Sequence, residues 1–255
     1  MSKHHDEALA RAFDGQAPDF ERAPVQSDRA ALARLVQAAD FPEGARLLDA
    51  GCGPGLVGAA FLKAGYRVLG VDLSPEMIER ARARCGFAGE SARFVLGSIH
   101  DAGVDAMAPF DGAYSRYVLH HVLDARAFLK RQIELVRPGG VIVLSDHITD
   151  PDPELARRHQ DLEADRDATH TRNLTGGGIV DLFAEAGLAD IRLVEENFSL
   201  DFDEWFDRGT PRKPKAEVRA ELLRSPAIRG FRAVALDDGS IRVDCQRVIV
   251  RGRKP

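Results

Sequence analysis

The chain has 255 residues, 44% hydrophobic and 29% charged, with a formal net charge of −5. A chain of this size and composition buries its own core as an ordinary α/β domain, so no disulfide framework or structural metal is expected. The mild acidity excludes the basic footprint of a nucleic-acid binder. The three scattered cysteines, Cys52, Cys85 and Cys245, suit a reducing compartment. The opening MSKHHDEALARAF lacks the apolar core of a secretory leader, and no later segment approaches ~18 unbroken apolar residues. The expectation is a cytoplasmic protein with no membrane partner.

Along the chain, residues 5–40 carry Leu9, Phe13, Phe20, Leu32, Leu35 and Val36 at helical spacing. ARLLDAG is then a short apolar run closed by glycine, the texture of a buried parallel strand. LVGAAFLKAG predicts a helix ending at Gly65. YRVLGVD predicts a second strand, and SPEMIERARARCG a helix with Ser74 as N-cap and Pro75 in its first turn. ARFVLGS is a third strand. FDGAYSRYVLHHV reads as a strand running into a helix, ARAFLKRQIELV as a helix, RPGG as a turn and VIVLSD as the fifth strand. A polar helix is expected within 150–174, then the helix TGGGIVDLFAEAG, then the strands ADIRLVEENF and IRVDCQRVIV flanking an insertion at 201–238. Alternating strands and helices imply right-handed crossovers and a parallel sheet with helices on both faces. The expected fold is therefore α/β and Rossmann-like, with seven mostly parallel strands and an antiparallel edge. It forms one domain over 1–255: a helical cover at 1–40, a core at 41–149, and covering segments at 150–174 and 201–238.

The chemistry concentrates in LLDAGCGPG, with Asp49, Gly51, Cys52, Gly53 and Gly55. Glycine is needed where a strand turns sharply into a helix and a ligand lies against bare backbone. A dinucleotide fingerprint would require a third glycine at position 56, which is Leu56. The second strand ends at Asp72, where a carboxylate can accept from both hydroxyls of an unphosphorylated ribose.

Taken in order, LLDAGCGPG, GVDLSPEMIERAR, FDGAYSRYVLHHV and LVRPGGVIVLSD resemble the class I S-adenosylmethionine (SAM)-dependent methyltransferases, closest to the UbiE-like group, over roughly residues 46–147. The resemblance implies that Asp49 and the 51–55 loop hold the methionine part of SAM, that Asp72 binds its ribose, and that Leu73 and Met77 flank its adenine. Many relatives place an acid near the adenine where this chain has Gly97-Ser98-Ile99, so a serine hydroxyl stands in for a carboxylate there. Cys52 reads as a small half-buried loop residue.

The segment from Ser115 through Tyr117 to His120 and His121 is then expected beside the cofactor's methyl group. Methyl transfer needs alignment and sometimes a base, so Tyr117, His120, His121 and His147 are candidates, the last with Asp146 as its orienting acid. Positioning alone, with the histidines bracing the turn, is the other reading. In the 150–174 segment, Arg166, His170 and Arg172 are candidates for an anionic or hydroxylated acceptor, against the reading of a solvated charged face. The expected function is methyl transfer from SAM, leaving S-adenosylhomocysteine (SAH), to a small-molecule acceptor. The expected protein is a monomer or homodimer with no metal and no nucleic-acid partner. A SAM-binding protein catalysing cyclisation, a nicotinamide oxidoreductase and a non-catalytic module are the rivals on the same fold.

Overall fold

The computed structural model describes residues 3–255. The chain enters through α1 (Lys3–Arg22), α2 (Pro24–Ser27) and α3 (Arg29–Ala39), the region of helical apolar spacing. There follow β1 (Arg46–Ala50), α4 (Leu56–Lys63), β2 (Arg67–Asp72), α5 (Pro75–Cys85), β3 (Ala92–Leu96), α6 (Ala102–Asp105), β4 (Phe110–Arg116), α7 (Ala125–Leu135) and β5 (Val136–His147). The second half holds α8 (Pro153–Arg166), α9 (Gly176–Glu185), β6 (Ala189–Asp201), α10 (Phe202–Asp207), α11 (Lys215–Arg224), β7 (Phe231–Ala235) and β8 (Ile241–Arg253). Among the described residues no helix is long and apolar enough to cross a membrane.

The strands form one sheet in the order β3-β2-β1-β4-β5-β8-β6, with β7 added to β8. β1 to β5 run parallel, and β8 is antiparallel to β5, β6 and β7. β8 has an unusual job. One of its edges is divided, residues 247–253 pairing with β5 and residues 241–245 with β7, while β6 takes the other edge.

Successive strand residues point to opposite faces, and each face is sealed by helices. Leu48, Leu69, Ile142 and Val248 pack with Phe128, Leu129, Ile179 and Phe183 from α7 and α9. Their neighbours Leu47, Val68, Val143 and Ile249 pack with Leu35, Phe61 and Ile78 from α3, α4 and α5. Burial on both faces is worth about 1.5–3 kcal/mol per large aliphatic side chain, which is why these strands read as continuous apolar runs. A third cluster joins Leu162 of α8, Trp205 and Phe206 of α10, Leu222 of α11, Phe231 of β7 and Val243 of β8. It gives the two segments after the fifth strand a small core of their own.

Three local features differ from expectation. The sheet has eight strands, because FRAVA within 201–238 forms β7 as a hairpin with β8. The RPGG turn is absorbed into β5: Val136 pairs with Phe110, and Gly139, at φ +75°, kinks the strand while its N–H donates to the Lys254 carbonyl (2.8 Å). After β4 there is a single 3-10 turn, Leu119–His121, in place of the expected longer helix. Tyr117 enters it at φ +59°, its N–H donating to the Ser145 carbonyl (2.9 Å).

Candidate active site

The loops following β1, β2, β3 and β4 border an open cleft. Asp49, Gly51, Cys52, Gly53, Asp72, Leu73, Met77, Gly97, Ser98 and Ile99 all line it. Gly51 has φ +82°, and a Cβ there would stand 2.6 Å from Val118 Cγ2, so only glycine lets the loop lie against the turn after β4. Burial pushes the Asp49 carboxyl up to about 8, against the pull of the neighbouring Tyr114 hydroxyl, and among the described residues its Oδ2 has no hydrogen-bond partner. Asp72 is already partly engaged: its Oδ2 accepts from Gly53 N (2.8 Å) and its Oδ1 from Ser74 N (3.0 Å). Burial raises the Asp72 pKa, opposed by those backbone donors. Burial likewise pushes the Cys52 thiol well above its ordinary range, leaving a small inert wall residue.

Two expected cofactor residues lie elsewhere. Ser115 is buried within β4 and does not reach the cleft, whereas Arg116, Tyr117 and Val118 do. Gly55 is the N-cap of α4 at φ +77°, and a Cβ there would stand 2.9 Å from Ala81 Cα, so it serves the close approach of α4 to α5. Gly55→Ala is expected to cost about 2–4 kcal/mol from left-handed strain and overpacking, a fall of roughly 5–15 °C in Tm. The folded variant should keep its nucleoside affinity. Weaker SAH binding in calorimetry at an unchanged Tm would return Gly55 to the site.

The Ser98 turn is held by an acid three residues further on. Asp101 Oδ2 accepts from Ser98 N (2.8 Å) and lies where a Cβ on Gly97 would be.

The N-terminal helices supply a wall that the motifs did not reveal, through Leu9, Phe13 and Phe20 of α1 and Gln26 of α2. Ser74 Oγ donates to Asp14 Oδ1 (2.5 Å), docking α1 on the start of α5. The Arg116 guanidinium donates to the carbonyls of Val25 (2.9 Å) and Gln26 (3.1 Å), pinning α2 above β4. Phe13 and Phe20, at helical spacing, were the sequence signal.

A second cavity shares Phe20, Gln26, Tyr117 and His121 with the first. Tyr117, His120, His121 and His147 all line it. The pairing expected between Asp146 and His147 is not formed. Asp146 Oδ1 instead lies 2.5 Å from His120 Nδ1, and its Oδ2 accepts from His120 N (3.3 Å). Adjacent strand residues point to opposite faces, so His147 offers Asp146 only its backbone N–H (2.7 Å). The His147 ring stacks on Tyr117, centroids 4.5 Å apart at 14°.

The protonation states follow from these contacts. Burial opposes the charged form of His120, but the Asp146 carboxylate overrides it and raises the His120 pKa. Burial and the nearby His120 lower His147 to about 3. His121 is held well below its ordinary value by burial, then by His120 and His170. The Thr169 hydroxyl donates to Asp167 Oδ1 (2.7 Å), so His121 Nδ1 is the donor toward Thr169 (carbonyl at 3.2 Å), and its Nε2 keeps a lone pair. Tyr117 is fixed by Arg247, whose Nη1 donates to its hydroxyl (2.5 Å) while Arg247 Nε donates to Glu196 Oε2 (2.7 Å).

Of the residues expected at the acceptor, only Arg166 reaches this cavity, its Nε donating to the Trp205 carbonyl (2.8 Å). His170 Nε2 bonds Gln160 Oε1 (2.7 Å), bracing the 160–173 loop away from the wall. Arg172 is exposed and outside both cavities. The structure adds Glu163, Trp205, Arg208 and Phe231, from the two segments after β5.

The Rossmann-like sheet carries a cleft over its carboxyl edge, where open α/β sheets bind ligands, and this cleft opens beside a histidine-lined chamber. Residues 25–193 match the family described as the methyltransferase domain. The chain belongs to that family.

It is 26% identical over 212 residues to the uncharacterized methyltransferase YcgJ of Bacillus subtilis (strain 168), covering 82% of this chain and 83% of that one. The crystal structure of YcgJ superposes with a TM-score of 0.76 at 24% identity, over 88% of this chain and 98% of the other. A ubiquinone biosynthesis O-methyltransferase of Xanthomonas axonopodis pv. citri (strain 306) is 30% identical over 139 residues, 54% of this chain. That match spans 57% of the relative's length, and the chain spans about half the length of several curated relatives. The geranyl diphosphate C-methyltransferase of Streptomyces coelicolor A3(2), solved with Mg2+, geranyl diphosphate and SAH, shares the fold at TM-score 0.59 and 16% identity, over 89% of this chain and 79% of that one.

Proposed function

We propose that the protein methylates a small-molecule acceptor, with SAM in the larger cleft, the acceptor in the smaller cavity, and His120 as general base. The observation that carries this reading is the shared wall of Tyr117 and His121 between a nucleoside-type cleft and a chamber holding an acid-braced histidine.

The residues fit the cofactor. Asp49 offers an unpartnered, buried carboxyl oxygen within a wall otherwise of bare loop backbone, suited to a cationic amino acid end. Asp72 retains lone pairs for ribose hydroxyls, and Leu73, Met77, Ile99 and Phe128 make an apolar slot for a flat ring. When bound, SAM supplies an electrophilic methyl carbon on a sulfonium. The protein's own part is to align the acceptor and take its proton at His120 Nε2, Asp146 balancing the imidazolium. Of His120, His121 and His147, only His120 has its basicity raised. His121 and His147 serve better as neutral packing and hydrogen-bonding groups. The segments 150–174 and 201–238 act as the acceptor's cover, through Glu163, Arg166, Trp205 and Arg208.

Calorimetry should find SAM and SAH binding with one site each, and NAD not binding. SAH should accumulate when a suitable acceptor is added, and proteolytic cutting within 150–174 should slow in its presence. NAD binding in place of SAM would end this reading. Equal cutting with and without ligand would remove the covering role alone.

A further inference from the structure

The smaller cavity holds one guanidinium whose terminal nitrogens touch no acid among the described residues. Arg208 follows α10, is 6% exposed and lines this cavity. Its Nε donates to the Glu204 carbonyl one turn earlier (3.1 Å). Among the described residues its two terminal nitrogens have no hydrogen bond or ion pair. Its neighbours are accounted for: Arg247 pairs with Glu196 (2.7 Å), Arg166 with Asp167 (3.2 Å), and His120 with Asp146 (2.5 Å). Glu163 accepts from Trp205 Nε1 (3.4 Å) and lies 3.9 Å from Arg166. Glu204 makes no ion pair with Arg208, and its own Oε1 is buried without a partner.

A buried guanidinium whose terminal nitrogens touch no carboxylate is costly to hold, and Arg208 stays charged near neutrality: burial, then Arg166, lower its pKa to about 10, while Glu204 and Glu163 pull it the other way. Its free edge is a planar two-nitrogen fork matched to a carboxylate. The surrounding rings of Tyr117, Trp205 and Phe231 suit a flat apolar body.

Resting on the reading of this cavity as the acceptor site, we propose that Arg208 binds a carboxylate on the acceptor. The substrate class is then a small hydroxylated carboxylic acid, one end held by Arg208 and the nucleophilic hydroxyl turned toward His120. The motif reading placed acceptor recognition on Arg166, His170 and Arg172. The cavity places its free cation elsewhere, in the segment 201–238.

The test is calorimetric titration with 4-hydroxybenzoate and with its uncharged counterpart 4-hydroxybenzamide, on the SAH-saturated and the ligand-free protein. The benzoate should bind the wild type about 10–100-fold more tightly than the amide, the scale of a charge-assisted bidentate bond. Arg208→Gln should bring the two ligands within about threefold of each other, with SAH affinity unchanged. Arg208→Lys, which keeps the charge without the fork, should lose most of the preference. Equal binding of both ligands to the wild type, a preference surviving in Arg208→Gln, or no benzoate binding at about 10 mM would overturn the proposal. If SAH fails to bind while an Arg208-dependent preference persists, the methyl-transfer reading falls and the carboxylate site stands.

Discussion

His120→Gln is expected to lower kcat by about 10²–10⁴-fold, the range for loss of a positioned base, while SAH affinity stays within about twofold. The sign of the pH effect follows from the Asp146 contact. A base acts in its unprotonated form, and Asp146 raises the His120 pKa above its ordinary value of 6.5. Wild-type kcat should therefore climb as pH rises through that elevated pKa and level off above it. Asp146→Asn removes the opposing carboxylate and leaves burial dominant, so the acid limb should move to lower pH while the plateau falls, because a weaker base remains. Single-turnover rates across pH for both variants provide the check. Near-wild-type plateaus in both would assign the pair to bracing the turn after β4, and catalysis would rest on alignment alone.

Asp72→Ala should weaken SAH binding about 10–150-fold, corresponding to ~1.5–3 kcal/mol for hydrogen bonds to a charged acceptor. The geometry gives two reasons for a value near the upper end. The carboxylate faces the cleft, and it also receives the N–H of Gly53 at 2.8 Å and of Ser74 at 3.0 Å, so it shapes the loop that lines the same cleft. Asp72→Asn separates the two roles in part: one oxygen remains as acceptor, but the new amide nitrogen confronts a backbone N–H. Its affinity should fall between those of wild type and the alanine variant. An SAH Kd within twofold of wild type for Asp72→Ala would remove this residue from the cofactor site.

The parallel half of the sheet was legible because its strands are apolar runs with sharp ends, at a glycine in LLDAG and at an acid just before a helix cap in VLGVD. The cleft residues followed from that punctuation, since the turns lie at the carboxyl ends of the strands. What failed was pairing in space. Asp146 was matched with its sequence neighbour His147, although a strand turns adjacent side chains apart. Its true partner reaches it only because β4 and β5 run in register, Arg116 beside Ser145, and the chain then turns back at Tyr117. Arg208 was illegible for another reason. It sits in DFDEWFDRGTPRKPK, a charged run with the composition of a solvated surface. Only the satellite cluster around Trp205 and Phe231 buries it. Ser115 and Gly55 show the converse, motif positions that the fold spends on strand interior and helix packing.

The divided edge of β8 sets a timetable for biosynthesis. β6 and β7 pair with no strand except β8, so neither can join the sheet until residues 241–253 have been made. By then β1 to β5 have been synthesised and can pair among themselves. Translation at about 5–20 residues per second leaves roughly 5–20 s between the end of β5 and the arrival of β8. Throughout that interval the apolar edge Val141–Leu144 has no neighbour on one side, an open template for another nascent chain. The half of the protein built on β1 to β5 can thus take shape on the ribosome well before the half built on β6 to β8, and the seam between them is where a stalled or truncated chain would aggregate.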